Sequence, residues 1–472
     1  MTSRIVIENG FLITMDSGLG DLARGSVLVE DGIIRAVAPD IDVHDCERIE
    51  AAGKLVLPGF VDTHRHVWQT QLRGAAADWT LLDYTAEMRF VYGSLYGPND
   101  AYLGNYAGSL EALDAGITTM VDHSHVLNTP DHTDEAVRGL SDAGIRGVFC
   151  YGLYGNPVRT ADGTVIESGF ESPTWHYDDA RRVRAQKLAS KDALVTMGLA
   201  LNEVEAFPIE NVRPEIALGR ELDASLMSVH VGMGALSSGK RFVARLRDAG
   251  LLDERLLFVH GSSVADDELR MVADAGAAFS STPDTELQMG MGLPVAWRAR
   301  AAGAKASLGI DIVSNIGGDM FGQMHLAVQA ERTRRNLLLE ARGLAPNRLD
   351  LSVRDVLSLA TVEGARAARL DDRIGSLTPG KRADIVVLSC DRIGMNPVND
   401  ATASVVFYAG VADVDTVLVD GKIRKKSGRL VGVDTATLRA NVERSRDGIV
   451  ERARTIDRTD VRAAIAAFFP VS

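Results

Sequence analysis

Histidine and carboxylate side chains recur along this sequence in a pattern that suits a metal ion. They are His64 and His66 in PGFVDTHRH, His230 in SVHVG, His260 in FVHGS and Asp311 in LGIDI. An isolated His-x-His pair is weak evidence, but its combination with the other three residues is strong. Neutral imidazole nitrogen and a carboxylate oxygen suit zinc or iron, with one position left open for water. Such an ion lowers the pKa of its water and makes hydroxide available for hydrolysis near neutral pH.

Each of these residues closes an apolar segment that is typical of a buried strand. Side chains two apart on a strand point the same way, so His64 and His66 face one site while Arg65 faces away. Eight such segments alternate with helical stretches, which predicts a (β/α)8 barrel whose functional groups lie at the carboxyl ends of the strands. The predicted strands are 60–66, 117–125, 145–152, 194–202, 226–232, 256–261, 277–283 and 305–311.

The two ends of the chain have a different residue pattern, which is typical of short strands and tight turns. Downstream, the predicted strands include 383–388, Ser404–Tyr408 and 414–419. These segments predict a small composite β-sandwich domain formed by residues 1–57 together with 370–432. The barrel is then expected over 58–369, and a charged helical tail over 433–472, of which Asp434–Phe469 has the helical pattern.

Composition narrows the class of protein. The chain has 472 residues, 46% of them hydrophobic, and a formal charge of −13. A protein of this charge repels phosphate backbones, so we expect no nucleic-acid partner and instead a small-molecule substrate, neutral or cationic. Because no apolar run reaches the length of a membrane span and no signal peptide precedes the first strand, we expect no membrane partner and a cytoplasmic location. The helical tail and the large barrel favour a homo-oligomer.

The motifs around the candidate ligands resemble those of the amidohydrolase superfamily, in particular its metal-dependent aminohydrolases. PGFVDTHRH looks like the first-strand signature, Leu72-Arg73-Gly74 matches the pattern that follows it, and LTPGKRADIVVL resembles the exit from the barrel. The resemblance covers nearly the whole chain. The nearest groups are the cytosine and adenosylhomocysteine deaminases and the triazine hydrolases.

This resemblance implies roles for the five residues. His64, His66, His230 and Asp311 would hold one divalent metal ion, with zinc favoured over iron. His260 would hydrogen-bond the attacking water or the oxygen of the intermediate, and Asp311 would also accept the proton of that water. Binuclear members bridge two metals with a lysine on the fourth strand, but here that strand reads ALVTMGLALN, so one metal is expected.

One position departs from the aminohydrolase pattern. Three residues after the fifth-strand histidine, these enzymes carry a glutamate that protonates the substrate ring, and here Met233 occupies that position. A thioether cannot transfer a proton. We hypothesise that Glu286 is the proton donor instead; His123 and His125, which close the second strand as another His-x-His pair, are the alternatives.

Residues near the strand ends supply candidate walls for a substrate pocket. The substrate-binding candidates are Gln69, Trp79, His125, Asn202 and Met233. Several of these side chains are flat or polarisable and would suit a planar heterocycle. Glu203, by contrast, is expected to be a solvated or capping charge.

Together these expectations describe a metal-dependent hydrolase that cleaves a non-peptide C–N bond of a small cyclic, N-heterocyclic substrate, for example by deamination. Alternatives on the same barrel are a dechlorinase, a lactam or amide hydrolase, and a lyase. A catalytically reduced binding protein is a further alternative because of Met233. Loop composition sets specificity in a barrel, and no motif here names the substrate or the leaving group.

Overall fold

The computed structural model describes residues 3–159, 165–167, 172–203, 205 and 207–466. Two sheets organise it, an eight-stranded parallel barrel and a nine-stranded sheet built from both ends of the chain, so the predicted fold class is confirmed. The strands are β1 (Arg4–Leu12), β2 (Leu22–Glu30), β3 (Ile33–Ala38), β4 (Glu47–Glu50), β5 (Leu55–Pro58), β6 (Phe60–Arg65), β7 (Ile117–Ser124), β8 (Arg146–Gly152), β9 (Val158–Arg159), β10 (Val165–Glu167), β11 (Val195–Ala200), β12 (Met227–Val231), β13 (Leu256–His260), β14 (Ala278–Ser281), β15 (Lys305–Leu308), β16 (Ile385–Leu388), β17 (Val414–Val419), β18 (Lys422–Lys426) and β19 (Arg429–Leu430).

The barrel runs β6-β7-β8-β11-β12-β13-β14-β15 with every pairing parallel. It closes just beyond β15, where Asp311 N donates to the His64 carbonyl and His66 N donates to the Asp311 carbonyl, each at 2.8 Å. The residues of β6 are all buried, as expected for strands covered on both faces. Closure therefore brings the first and last candidate ligands side by side.

Helices surround the barrel, and many begin or end with a recognisable cap. Three helices begin at a proline, Pro98, Pro130 or Pro283, where its missing N–H costs nothing, and the helix from Pro130 ends at Gly144 with φ +71°. The helices are α1 (Leu81–Asp83), α2 (Pro98–Asp114), α3 (Pro130–Ala143), α4 (Thr174–Gln186), α5 (Ile209–Glu221), α6 (Phe242–Asp248), α7 (Asp266–Asp274), α8 (Pro283–Gln288), α9 (Ala296–Ala301), α10 (Met320–Glu340), α11 (Val353–Leu359), α12 (Val362–Ala367), α13 (Ala401–Phe407), α14 (Thr435–Ala453) and α15 (Arg458–Ala466). Among the described helices, none combines the length and apolar character needed to cross a lipid bilayer.

The nine-stranded sheet has the order β19-β18-β17-β16-β5-β1-β2-β3, with β4 beside β1. It has its own hydrophobic core, which includes Ile7, Val27, Ile34 and Ile385. Only Gly59 separates β5 of this sheet from β6 of the barrel. A Cβ atom at Gly59 would lie 2.1 Å from Thr118 Oγ1, so the close approach of the two sheets requires glycine here.

The prediction of a strand at Ser404–Tyr408 is wrong. Residues 404–407 lie in α13 and Tyr408 caps its end, while the N-cap residue Asp400 accepts a hydrogen bond from Ala403 N at 2.8 Å. Its β-branched and aromatic residues favoured a strand, but Ser404 and Val405 are instead buried as one face of the helix, which packs on α10 and α11. The cap and the tertiary packing override the local propensity.

The predicted helical tail forms α14 and α15, with residues 467–469 of that prediction outside the described part. Both helices pack on residues Tyr84–Tyr92, a π-helical segment that follows α1. Arg458 Nε donates to Glu87 Oε2 of this segment at 2.8 Å, and Val91 packs against Ala453 of α14. The tail is therefore attached to a wall of the barrel opening.

Candidate metal centre and substrate cavity

Four predicted ligand atoms converge at the carboxyl end of the barrel. The Nε2 atom of His64 lies 3.2 Å from Nε2 of His66 and 3.3 Å from Nε2 of His230. Asp311 Oδ1 lies 3.4 Å from Nε2 of both His64 and His66. Ligands placed 2.0–2.1 Å from a tetrahedral zinc ion are separated by about 3.3 Å, so these four distances are close to that value. His64, His66 and Asp311 form one group that could hold an ion, and His230 adjoins it through His64.

Backbone conformation at the strand ends directs these side chains. Asp311 and His260 both have positive φ, +71° and +72°, a region that L residues rarely adopt. Such strain is characteristic of functional sites held by the surrounding structure. Gly309 completes the arrangement, because a Cβ atom there would lie 2.9 Å from the backbone N and O of His64.

The second nitrogen of two of these histidines is hydrogen-bonded, which fixes the tautomer. His66 Nδ1 donates to the His123 carbonyl at 2.8 Å, and His230 Nδ1 donates to Glu203 Oε1 at 3.1 Å. The Nε2 atoms are then unprotonated, as a metal ligand requires. Burial lowers the pKa of His64 and His66 well below the ordinary value, which keeps both imidazoles neutral.

His260 lies beside the four ligand atoms, with its ring stacked on that of His230 at a centroid distance of 5.5 Å. Its Nδ1 contacts Thr282 Oγ1 at 3.0 Å and Glu286 Oε1 at 3.6 Å, which leaves Nε2 for the cavity. Burial alone would lower the pKa of His260, but Glu286 and Asp311 outweigh it and hold that pKa above its ordinary value. His260 is therefore positioned as a hydrogen-bond donor.

The second His-x-His pair has one structural member and one that faces the cavity. His123 has both ring nitrogens occupied, with Nδ1 2.9 Å from Ser228 Oγ and Nε2 2.8 Å from the Tyr154 hydroxyl. His125 stacks on His66 at 3.9 Å, and neither of its ring nitrogens has a partner among the described residues. Burial lowers the pKa of His125 well below the ordinary value, so it is neutral.

A cavity of about 290 Å³ opens above the metal centre. Three of the predicted substrate-binding residues line it, namely His125, Asn202 and Met233. Two others do not line it among the described residues: Gln69 is fully buried between Tyr84 and Ser314, and Trp79 packs against the main core. The remaining lining includes Tyr84, Arg89, Tyr154, Glu203, Glu205, Lys240, His260, Met289 and Asp311.

The proton-donor hypothesis for Glu286 does not fit this geometry. Glu286 is fully buried and is not among the described residues that line the cavity. Its Oε1 accepts a hydrogen bond from Thr282 N at 2.7 Å and lies behind His260. A group that protonates substrate must come within hydrogen-bond reach of it, so Glu286 is placed to orient His260 instead.

Two acidic residues that the sequence reasoning missed lie in the cavity wall. Glu203 keeps 39% of its side chain exposed, but it also holds His230, and His230 and Arg89 outweigh desolvation and keep its pKa below its ordinary value. Glu205 accepts hydrogen bonds from Gly232 N at 3.3 Å and from the Ser237 hydroxyl. Burial raises the pKa of Glu205 to about 7. Both residues lie just after the predicted strand 194–202, and this position at the carboxyl end of a barrel strand is the sequence feature that indicates a functional role.

A third carboxyl group of this region has a raised pKa but lies outside the cavity wall. Glu215 of α5 accepts hydrogen bonds from Asn202 N at 3.0 Å and Ser172 Oγ at 2.6 Å, and burial raises its pKa to about 7. The native state therefore holds a proton that the unfolded state releases between about pH 4.5 and 7, and stability falls as pH rises through this range.

We predict that Glu215→Gln is more stable relative to the parent protein at pH 8 than at pH 5, since the amide does not ionise. The change in this difference is at most about 3 kcal/mol, from a shift of about 2.5 pKa units. Urea denaturation at the two pH values measures it. Glu340→Gln, at an exposed position, is the control; an equal effect of Glu215→Gln at both pH values would contradict the prediction.

Sequence comparisons relate the chain to known proteins. A family model described as the amidohydrolase family matches residues 55–424. The 5-methylthioadenosine/S-adenosylhomocysteine deaminase of Desulforudis audaxviator is 27% identical over 462 residues, covering 95% of this chain and 99% of that protein. The 5'-deoxyadenosine deaminase of Methanosarcina mazei is 26% identical, covering 96% and 99%.

Solved structures share the fold. An adenosine deaminase from Xanthomonas campestris with bound zinc superposes with a TM-score of 0.81 at 23% identity, covering 95% of this chain and 99% of that one. A triazine hydrolase from Arthrobacter aurescens superposes with a TM-score of 0.80 at 22% identity, covering 94% and 99%. At this level of identity the structural likeness establishes the architecture alone.

Proposed function

Because the chain belongs to the amidohydrolase family, whose members include hydrolases of C–N bonds other than peptide bonds, we propose that it deaminates a small amino-substituted N-heterocycle. The observation that carries the proposal is the group formed by His64, His66 and Asp311, with His230 beside His64, at distances close to those between zinc ligands and directly beneath the cavity. A metal bound by these ligands would supply hydroxide near neutral pH by lowering the pKa of its water.

The chain's own residues would carry out the remaining steps of the reaction. Asp311 would accept the proton of the attacking water at its free carboxylate oxygen. His260, fixed through Nδ1 by Thr282, would donate a hydrogen bond from Nε2 to the oxygen that adds to the ring carbon. Glu203 would hold His230 in the required tautomer.

We assign the missing ring-protonating acid to Glu205. Its carboxyl group lies against the Gly232–Ser237 turn that carries Met233, and it lines the same cavity. A pKa of about 7 keeps a large share of Glu205 protonated at neutral pH, as a general acid requires. The acid would thus reach the cavity from the loop after β11 instead of from the end of β12.

The finer features of the proposal are one metal ion per chain, zinc as that ion, a homo-oligomeric assembly and a cytoplasmic location. The absence of a lysine on β11 supports the single metal, and three nitrogens with one oxygen support zinc. The helical tail, α14 and α15, supports the homo-oligomer because it offers a surface to a second chain.

Ammonia release from a panel of aminopurines, aminopyrimidines and aminotriazines tests the reaction directly. We expect metal-dependent ammonia release from at least one member of the panel and its loss after chelation. Chloride and alkylamine are measured in the same samples, since a chlorinated or alkylamino ring would identify a different leaving group. Product without incorporation of labelled water oxygen would refute hydrolysis.

A further inference from the structure

Arg89 is a charged group in the cavity wall that the proposed reaction does not use. Its side chain is 9% exposed and its guanidinium carbon lies 4.9 Å from the centroid of the Tyr154 ring. Its Nη1 has no hydrogen-bond partner, and no ion pair within 4.0 Å joins it to a carboxylate, among the residues that the structure describes. The charge of Glu203 acts on Arg89 from beyond that distance, so the buried Nη1 donor is left for a ligand.

The π-helical segment carries both Tyr84 and Arg89 on the face that lines the cavity. In an α-helix, residues five apart are rotated by about 140°, so Tyr84 and Arg89 would point to different sides. The π-helix closes i to i+5 and places them on one face, and both line the cavity. This uncommon helix therefore presents a cation to the substrate site.

His125 adds a second unpartnered polar group to the same wall. Tyr154 joins the two residues: the guanidinium of Arg89 lies over its ring, and His125 meets that ring edge to face at 4.6 Å. A neutral imidazole offers one donor and one acceptor, and both ring nitrogens of His125 are without a described partner. The wall can therefore offer donors from two side chains to one ligand oxygen.

Cations offset the carboxylates around the cavity, so a ligand with negative charge is not repelled there. Lys240 is a second cation in the lining. Of the acidic residues there, Asp311 faces the metal centre and Glu203 is engaged by His230, while Glu205 has a pKa of about 7. The two cations therefore offset the carboxylates of the lining, although the chain as a whole carries a formal charge of −13.

We propose that Arg89 and His125 form a subsite for an anionic or strongly electron-rich oxygen on the substrate ring, either a carboxylate or a ring oxo group. This inference rests on the proposed function for its reactive end and adds the class of substrate, an oxygen-bearing aminoheterocycle. Arg89 suits this role because its planar, permanently charged fork can donate two hydrogen bonds to one such group.

Binding of non-reactive ring-matched probes tests the subsite without requiring turnover. Calorimetric titration of the metal-loaded protein would compare three compounds. Pyrimidine carries no oxygen, uracil carries two oxo groups, and orotate carries two oxo groups and a carboxylate. We expect orotate or uracil to bind more tightly than pyrimidine. Arg89→Met should then lower the affinity for the better-binding oxygenated probe by about 10- to 100-fold. Arg89→Lys should restore only part of the affinity. A loss for orotate alone identifies the carboxylate, and a loss for both identifies the oxo group.

Lys240→Met is the matched control, since it removes a cavity cation elsewhere in the lining. Equal loss of affinity in the Lys240 and Arg89 variants, unchanged affinity in the Arg89 variant, or no preference for the oxygenated probes would each overturn the subsite. Metal content and the urea midpoint verify that the variants fold. Arg89-dependent binding without ammonia release from any substrate would refute the proposed reaction but support the subsite. Ammonia release with probe binding that does not depend on Arg89 would refute the subsite alone.

Discussion

Substitution of Asp311 by asparagine is expected to remove the metal ion and nearly all activity. The Oδ1 atom of Asp311 completes the ligand set with His64 and His66, and a neutral amide is a poor ligand for zinc. Loss of a group that only orients a ligand reduces metal affinity or activity by about 10- to 100-fold, so we expect a larger loss of kcat/KM here. Metal content by mass spectrometry and ammonia release provide the two measurements.

Asparagine is the informative replacement because the backbone at Asp311 has φ +71° and joins β6 to the end of β15. Asparagine tolerates this conformation, whereas alanine would add strain that could itself disrupt the site. Asp319→Asn, at the cap of α10, is a matched substitution that should keep full metal content. Full metal occupancy and activity in Asp311→Asn would refute the ligand assignment.

Substitution of Glu205 by glutamine is expected to lower kcat by about 10²- to 10⁴-fold while KM changes little, because the amide cannot transfer a proton. The sign of the pH effect follows from the pKa of about 7: the acid must be protonated, so kcat of the parent enzyme falls as pH rises above about 7. The variant should lack this decline. Steady-state rates from pH 5.5 to 9 measure both effects.

Glu215→Gln is the matched control for this experiment. Glu215 has the same raised pKa of about 7 and lies in the same region, but it is not among the described residues that line the cavity. It should change stability with pH and leave the pH profile of kcat unaltered. If Glu205→Gln keeps the alkaline decline, and Glu286→Gln abolishes it, then the acid is Glu286 and our assignment is wrong.

The sequence predicts the positions of the candidate metal ligands better than those of the cavity wall. His64, His66, His230 and Asp311 lie at ends of barrel strands, where alternation and the direction of the chain determine where a side chain points. Gln69 lies in a short 3₁₀ turn, where no simple periodicity applies, and it bonds to Tyr84 and Ser314 instead of facing substrate. Loop orientation depends on tertiary contacts that the sequence pattern does not encode.

The acidic residues of the cavity wall are equally difficult to predict from the sequence. Glu205 was overlooked because it lies beyond β11 in a loop, and its burial and raised pKa depend on the distant Gly232–Ser237 turn. The π-helical conformation of the segment that carries Arg89 cannot be predicted from an apolar period of 3.6. The acidic composition predicts a neutral or cationic substrate, whereas Arg89 and Lys240 offset the carboxylates of the cavity lining.

The attachment of α14 and α15 to the π-helical segment links two distant parts of the chain. Arg458 contacts Glu87, and Ala453 packs against Val91, on the segment that also carries Arg89. Detachment of these helices would remove packing from the substrate wall while the metal ligands keep their own barrel supports. Related sequences could thus change which molecules they accept by mutating the C-terminal helices, with no change in any residue that touches substrate.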